Sequence, residues 1–287
     1  MEFWQIDVFA DGPYQGNPLA VFPEAAGLRS AQMQAISREM NLSETTFVTA
    51  TDGESYDVRI FTPTEELPFA GHPTIGTAWT LRRLDRISGD VVVQRSRAGE
   101  TKVTASGDLL WFERTGEADD DLTRTHPQAE EDIARALGVA ASDVGLEARE
   151  LGRSGLLRPS YSDAGVRQLM VPLKDLSALG RCSPRADLLA RLGALGAYCF
   201  TATGAGSLRS RGFFPGAGVA EDPATGSAAA ALGIYLAERL GAIDAEISQG
   251  VEIGRPSRIS LRAEPGRARI GGRCHLVLTG RLEKLPS

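Results

Sequence analysis

The chain has 287 residues, 42% of them hydrophobic and 24% charged, with a formal net charge of −6 and a pI near 5.3. That composition belongs to a globular protein long enough for two cores. The acidity, and the scatter of the arginines (lysine stands only at 102, 174 and 284), speak against a nucleic-acid or membrane-surface partner.

Phe3 to Phe9 alternates and is rich in aromatic and β-branched residues, which predicts a strand. Gly12 to Pro18 is turn chemistry, and Leu19 to Phe22 a second short strand. Ser30 to Met40 predicts a helix with Met33, Ile36 and Met40 on one face, stopping at Asn41. Strands are expected over Thr45–Ala50 and Tyr56–Phe61, a helix over Thr74–Leu84, and strands over Asp90–Arg95 and Leu109–Arg114. Hydrophobicity collapses at Gly116-Glu117-Ala118-Asp119-Asp120-Asp121, the candidate domain boundary. Beyond it the pattern predicts helices over Ala129–Leu137, Pro184–Leu192 and Ser227–Leu240, the last stopped by Gly241. Strands are expected over Leu169–Leu173, Tyr198–Thr203, Val251–Gly254, Arg258–Ala263, Ala268–Gly271 and His275–Leu282. Mixing without strict βαβ alternation points to an α+β fold.

Three cysteines (Cys182, Cys199, Cys274) and three histidines (His72, His126, His275) show neither C-x-x-C nor H-x-x-x-H spacing, so neither a disulfide framework nor a metal centre is expected. The N-terminus lacks a basic region and a signal-length hydrophobic core, and no apolar run approaches membrane-spanning length. A cytoplasmic location is the expectation. Gly204-Ala205-Gly206 after a strand mimics the start of a dinucleotide fingerprint, but the third glycine is missing and no helix follows.

Three segments can carry chemistry. In Gly218-Val219-Ala220-Glu221-Asp222-Pro223-Ala224-Thr225-Gly226-Ser227 two acids sit on a proline-stiffened turn that runs into a helix start, where unpaired N–H groups and a partial positive charge attract an anion. Taken alone, the stretch reads as an ordinary capped helix, with Ser227 at or near the cap. In Asn41-Leu42-Ser43-Glu44-Thr45-Thr46-Phe47, Glu44 falls between a helix end and an apolar strand. The negative end of that helix and burial both disfavour its ionised form and suit it as a base near neutral pH. A solvated surface glutamate is the commoner outcome for such a residue. In Leu67-Pro68-Phe69-Ala70-Gly71-His72-Pro73-Thr74, proline at the first helical position places His72 at the cap. The helix start after Pro73 echoes the one after Pro223, in two registers that disagree, one of them anchored on Gly71 and Gly226.

With Asp7-Val8-Phe9, Gly16 to Phe22, Gln249 to Ser257, Gly271-Gly272 and Leu276 to Gly280, these segments resemble the phenazine-biosynthesis PhzF-like isomerase/epimerase family over about residues 5–282. The resemblance implies a diaminopimelate epimerase-like fold: two pseudo-symmetric α+β lobes, each a mixed sheet wrapped around a central helix, with the active site between them. The lobes are expected at 1–117, with a returning strand at 276–287, and at 118–275. It implies a homodimer that needs no cofactor and takes a small carboxylate substrate. It matches Glu44 to the catalytic acid/base, His72 and Asp222 to groups that orient substrate and assist proton movement, and Gly71, Gly226 and Ser227 to the carboxylate-binding set. Racemases of the wider superfamily use two cysteines, whose places here correspond to Ala70 and Thr225, so two-thiol chemistry is unavailable. A proton shift by one carboxylate is the leading expectation. Epimerisation, dehydration and a silent binding homologue are the alternatives.

Overall fold

The computed structural model describes residues 1–286. The chain divides into two compact units, one formed by Met1–Glu113 and the segment from Gly271 onward, the other by Arg114–Ile270. Pieces of two to four residues aside (the four-residue strands excepted), the first unit runs β1 (Glu2–Val8), β2 (Asn17–Phe22), α1 (Ser30–Met40), β3 (Glu44–Thr51), β4 (Ser55–Phe61), α2 (Gly71–Arg83), β5 (Val91–Ser96), β6 (Gly99–Ser106) and β7 (Leu109–Thr115). The second runs α3 (Ala129–Leu137), β8 (Ser160–Asp163), β9 (Arg167–Pro172), α4 (Leu176–Arg181), α5 (Ala186–Arg191), β10 (Ala197–Gly204), β11 (Ser207–Phe214), β12 (Val219–Asp222), α6 (Gly226–Leu240), β13 (Ile243–Gln249), β14 (Ser257–Glu264) and β15 (Arg267–Gly272). The last strand, β16 (Cys274–Arg281), pairs antiparallel with β1 and so completes the first unit.

Pairing sense repeats between the units. In the first, β1–β2 is antiparallel, β2–β3 parallel, β3–β4 antiparallel, β4–β5 parallel and β5–β6 antiparallel. In the second, β8–β9, β9–β10, β10–β11, β11–β13 and β13–β14 follow the same alternation. Each parallel pair needs a crossover. α1 supplies the first in unit one, α4 and α5 in unit two; α2 and α6 supply the second.

The second crossover helix is the central one in each unit, buried along most of its length. Both approach their sheets through a glycine. A Cβ on Gly76 of α2 would stand 2.6 Å from Leu19 Cδ2, and one on Gly233 of α6 would stand 2.5 Å from Leu261 Cδ1. The other crossover helices, joined by α3 in the second unit, build separate apolar layers. Met33 and Ile36 of α1 pack with Phe22, Phe47 and Phe61, while Ile133, Leu137, Leu179 and Leu189 pack with Val171 and Phe213.

Several expectations shift. The helix expected from Thr74 begins at Gly71 with Ala70 as N-cap, so His72 lies inside the first turn rather than at the cap. Proline is tolerated anywhere in that turn, because its missing N–H is one of those without an intrahelical partner. The helix over Pro184–Leu192 shortens to Ala186–Arg191. Val251–Gly254 is a turn following β13, not a strand. Gly204 to Gly206 turns the β10–β11 hairpin. Among the described residues no helix is long and apolar enough to cross a membrane.

Candidate active site

In the first unit, Asn41 adopts the left-handed conformation after α1 and lets the chain reverse. Three residues on, Glu44 opens β3 opposite Leu19 in the parallel ladder. The Glu44 side chain is 17% exposed, against 4% for His72, and Glu44 Oε2 lies 3.4 Å from His72 Nε2. Burial alone pushes the His72 imidazole down to about 3, so near pH 7 it is neutral and the contact is not an ion pair. The geometry is not a hydrogen bond either: the buried Nε2 makes none among the described residues. A buried, unpaired ring nitrogen is costly and calls for an explanation at the site.

Gly71 is the first residue of α2, and the Ala70 N-cap offers its first amides no side-chain acceptor. The same holds in the second unit, where Gly226 opens α6 behind Thr225, again without a side-chain cap. His72 and Ser227 follow at the second position of their helices, so the register anchored on Gly71 and Gly226 relates the two helix starts.

Asp222 ends β12 and is 8% exposed. Thr225 turns its hydroxyl away from its own helix and donates it to Asp222 Oδ2 at 2.6 Å. Gln249, fully buried at the end of β13, donates to the Asp222 carbonyl at 2.7 Å and to Thr225 Oγ1 at 3.0 Å. Its carboxamide oxygen accepts from the Thr225 amide at 3.2 Å and from the Tyr198 hydroxyl at 2.9 Å. The sequence assigns no hydrogen-bonding role at the site to Thr225 or Gln249, although Thr225 lies in the acidic-turn segment and Gln249 opens a segment of the resemblance. The sequence signal was the Gln249-Gly250 pair: Gly250 has φ +73°, and a Cβ there would stand 2.5 Å from the Pro223 carbonyl, so β13 ends hard against the acidic turn. No group of three or more His, Cys, Asp or Glu side chains placed to hold a metal occurs among the described residues.

Two units of like topology, each with a sheet around a buried helix whose uncapped start is dressed with glycine and polar groups, define a diaminopimelate epimerase-like fold. Solved structures agree. A PhzF-family phenazine biosynthesis protein of Bacillus anthracis superposes with TM-score 0.83 over 98% of both chains at 22% identity. A hydroxyproline epimerase of Agrobacterium vitis does so with TM-score 0.59 at 12% identity, over 98% of this chain and 91% of that one.

The family model for phenazine biosynthesis-like proteins matches residues 6–280. A trans-2,3-dihydro-3-hydroxyanthranilate isomerase of Pseudomonas fluorescens is 40% identical over 276 residues, 92% of this chain and 90% of that protein. The chain belongs to the phenazine biosynthesis-like family and is an isomerase of the PhzF kind.

Proposed function

We propose that this isomerase moves a proton between two carbons of a small cyclic or unsaturated amino-carboxylate, with Glu44 as its single acid/base and without a cofactor. The observation that carries the reading is the Glu44–His72 contact, a shielded carboxylate 3.4 Å from an imidazole kept neutral by burial. In its ionised form Glu44 takes a proton from carbon. The electron pair of the broken C–H bond enters the adjacent π system, and the double bond moves. The same carboxyl group then returns the proton at the far end of the conjugated system, with no net change in atoms or electrons. His72, neutral and with an unpaired Nε2, orients the reacting group. Gly71, Gly226 and Ser227 at the two uncapped helix starts bind carboxylate and stabilise developing negative charge, and Asp222 orients the substrate and assists proton movement. The name of the Pseudomonas fluorescens relative suggests trans-2,3-dihydro-3-hydroxyanthranilate as the first compound to try.

The test is proton NMR in D₂O with that compound and a panel of related unsaturated amino-carboxylates. The expected product is the double-bond isomer, formed by wild type and not by Glu44→Gln, which folds normally. Inversion at carbon or loss of water would replace the reading with epimerisation or dehydration, and binding without exchange would indicate a silent homologue. Full turnover by Glu44→Gln would remove Glu44 from the mechanism.

A further inference from the structure

We infer that Gln249 is a positioning residue: through the Thr225 hydroxyl it holds the Asp222 carboxylate in one orientation as a hydrogen-bond acceptor. The inference rests on the role proposed above for Asp222. Two backbone groups fix which way the Gln249 amide points, because the Thr225 N–H can only donate and the Asp222 carbonyl can only accept. Its second N–H is therefore directed at Thr225 Oγ1, at 3.0 Å. With that lone pair engaged, the Thr225 proton goes to Asp222 Oδ2, 2.6 Å away.

On the other side of the amide, Ser210 donates to the Tyr198 hydroxyl at 2.9 Å, and Tyr198 donates to Gln249 Oε1. Burial raises the Tyr198 phenol, so it stays protonated and remains a donor. The two chains meet at Gln249 with all four of its carboxamide positions used. Gly212 leaves the space this arrangement occupies: a Cβ there would stand 2.9 Å from Thr225 Oγ1 and 3.0 Å from Gln249 Nε2.

The first unit shows what the same device does without an acid. Gln94, also fully buried, accepts from the Tyr56 hydroxyl at 3.1 Å and donates to Thr74 Oγ1 at 3.0 Å. Thr74 passes its proton to the Ala70 carbonyl at 2.8 Å, inside its own helix. There the chain ends on a peptide group and fastens the helix start. In the second unit it ends on a carboxylate.

The experiment compares Thr225→Val, which keeps the shape and loses the hydroxyl, with Thr225→Ser, which restores it, and with Gln249→Glu, which keeps the volume and loses both donors. Two readouts are taken: the ¹³C carboxyl resonance of Asp222 in the full chain, and kcat and KM for the proton shift. Thr225→Val and Gln249→Glu are expected to move the Asp222 resonance and to lower kcat about 10–100-fold with KM little changed. Thr225→Ser recovers most of the loss, and the double variant loses no more than the worse single, because both act through one hydroxyl. An unmoved resonance in Thr225→Val overturns the inference whether or not a substrate is turned over, and so does a moved resonance with wild-type kcat. If wild type is inactive on every compound, the proposed reaction falls, while the resonance still decides whether Thr225 holds Asp222. Should Gln249→Glu not fold, Thr225→Val carries both readouts.

Discussion

In the first unit, β3 opens with Glu44 against Leu19; in the second, β10 opens with Ala197 against Leu169. Both residues follow the first crossover and start the parallel ladder, so they occupy the same place in the two repeats. One is a partly exposed acid beside a histidine, and the other is a fully buried methyl group. The helix starts differ in a related way. Ala70 and Thr225 stand at the N-caps, and neither carries a thiol. Racemisation by two bases needs an acid or thiol from each repeat. At these matched places an acid stands in one copy only, Glu44 in the first and Ala197 in the second, which suits the proposed reaction, in which one group lifts a proton and returns it.

The largest expected effect comes from removing the Glu44 carboxylate. Glu44→Gln is expected to lower kcat/KM by about 10²–10⁴-fold or more, the range for general acid–base groups, with the thermal midpoint little changed. Deuterium incorporation followed by NMR measures it, and activity within a few-fold of wild type would mean the base lies elsewhere. The reciprocal change tests whether the second copy could take an acid at all. Ala197 is fully buried, and a Cβ on neighbouring Gly196 would stand 2.1 Å from the Phe213 carbonyl. Ala197→Glu would bury an unpaired carboxyl group, with an expected loss of about 3–5 kcal/mol in urea unfolding. A stable Ala197→Glu protein would show that the difference between the repeats is not enforced by packing.

How much of this was written in the sequence differs by element. The helices Ser30–Met40 and Ala129–Leu137 have the bounds that their periodicity and stop residues predict. β11 escapes because Arg209 and Arg211 interrupt its apolar run; each pairs with a glutamate, Glu252 and Glu221, and Arg211 is buried by that partner and by carbonyls at the end of α4. β13 alternates legibly, with Ala245, Ile247 and Gln249 inward, but a buried glutamine ends the inward row where an apolar residue would be expected. The apolar pair Val251 and Ile253 then suggested a strand where Gly250 begins a turn. At the candidate site, Glu44, His72 and Asp222 came to notice through motifs. Gln249 opens a segment of the family resemblance but carries no legible role there, because its partners Thr225 and Tyr198 lie 24 and 51 residues away and only the folded sheet brings them together.

Acid should separate the units. The folded His72 pKa lies below the ordinary 6.5, at about 3, so between those values the unfolded chain binds a proton that the native one does not. Stability from this residue is fully present above pH 6.5 and lost as pH falls toward 3. In the second unit Asp143 is held down to about 2 by hydrogen bonds from Lys174 and Arg181, so its contribution is kept until pH falls through 3.8. Hydrogen exchange followed in each unit from pH 7 to 3 is expected to show the first weakening at higher pH, and His72→Asn to remove that early slope. An unchanged slope in His72→Asn would mean that the imidazole is protonated in the native state.

The smallest expected effects test the feature the repeats share. Gly76 and Gly233 each let the central helix approach its sheet, but the atoms that would meet a new methyl group differ. At Gly76 they are the ends of Leu19, Val8 and Ile6, at 2.6, 2.8 and 2.9 Å, three branched side chains from two strands. At Gly233 only Leu261 Cδ1 lies under 3.0 Å, at 2.5 Å, with Ala263 and Ala268 at 3.1 and 3.2 Å. A single leucine end can rotate aside, whereas three neighbours cannot all do so in a close-packed core. Alanine also gains about 1 kcal/mol over glycine within a helix. Gly76→Ala is therefore expected to cost about 1–3 kcal/mol from overpacking, and Gly233→Ala to lie within about 1 kcal/mol of wild type, both by urea unfolding. The reverse order would place the tighter helix–sheet contact in the second unit.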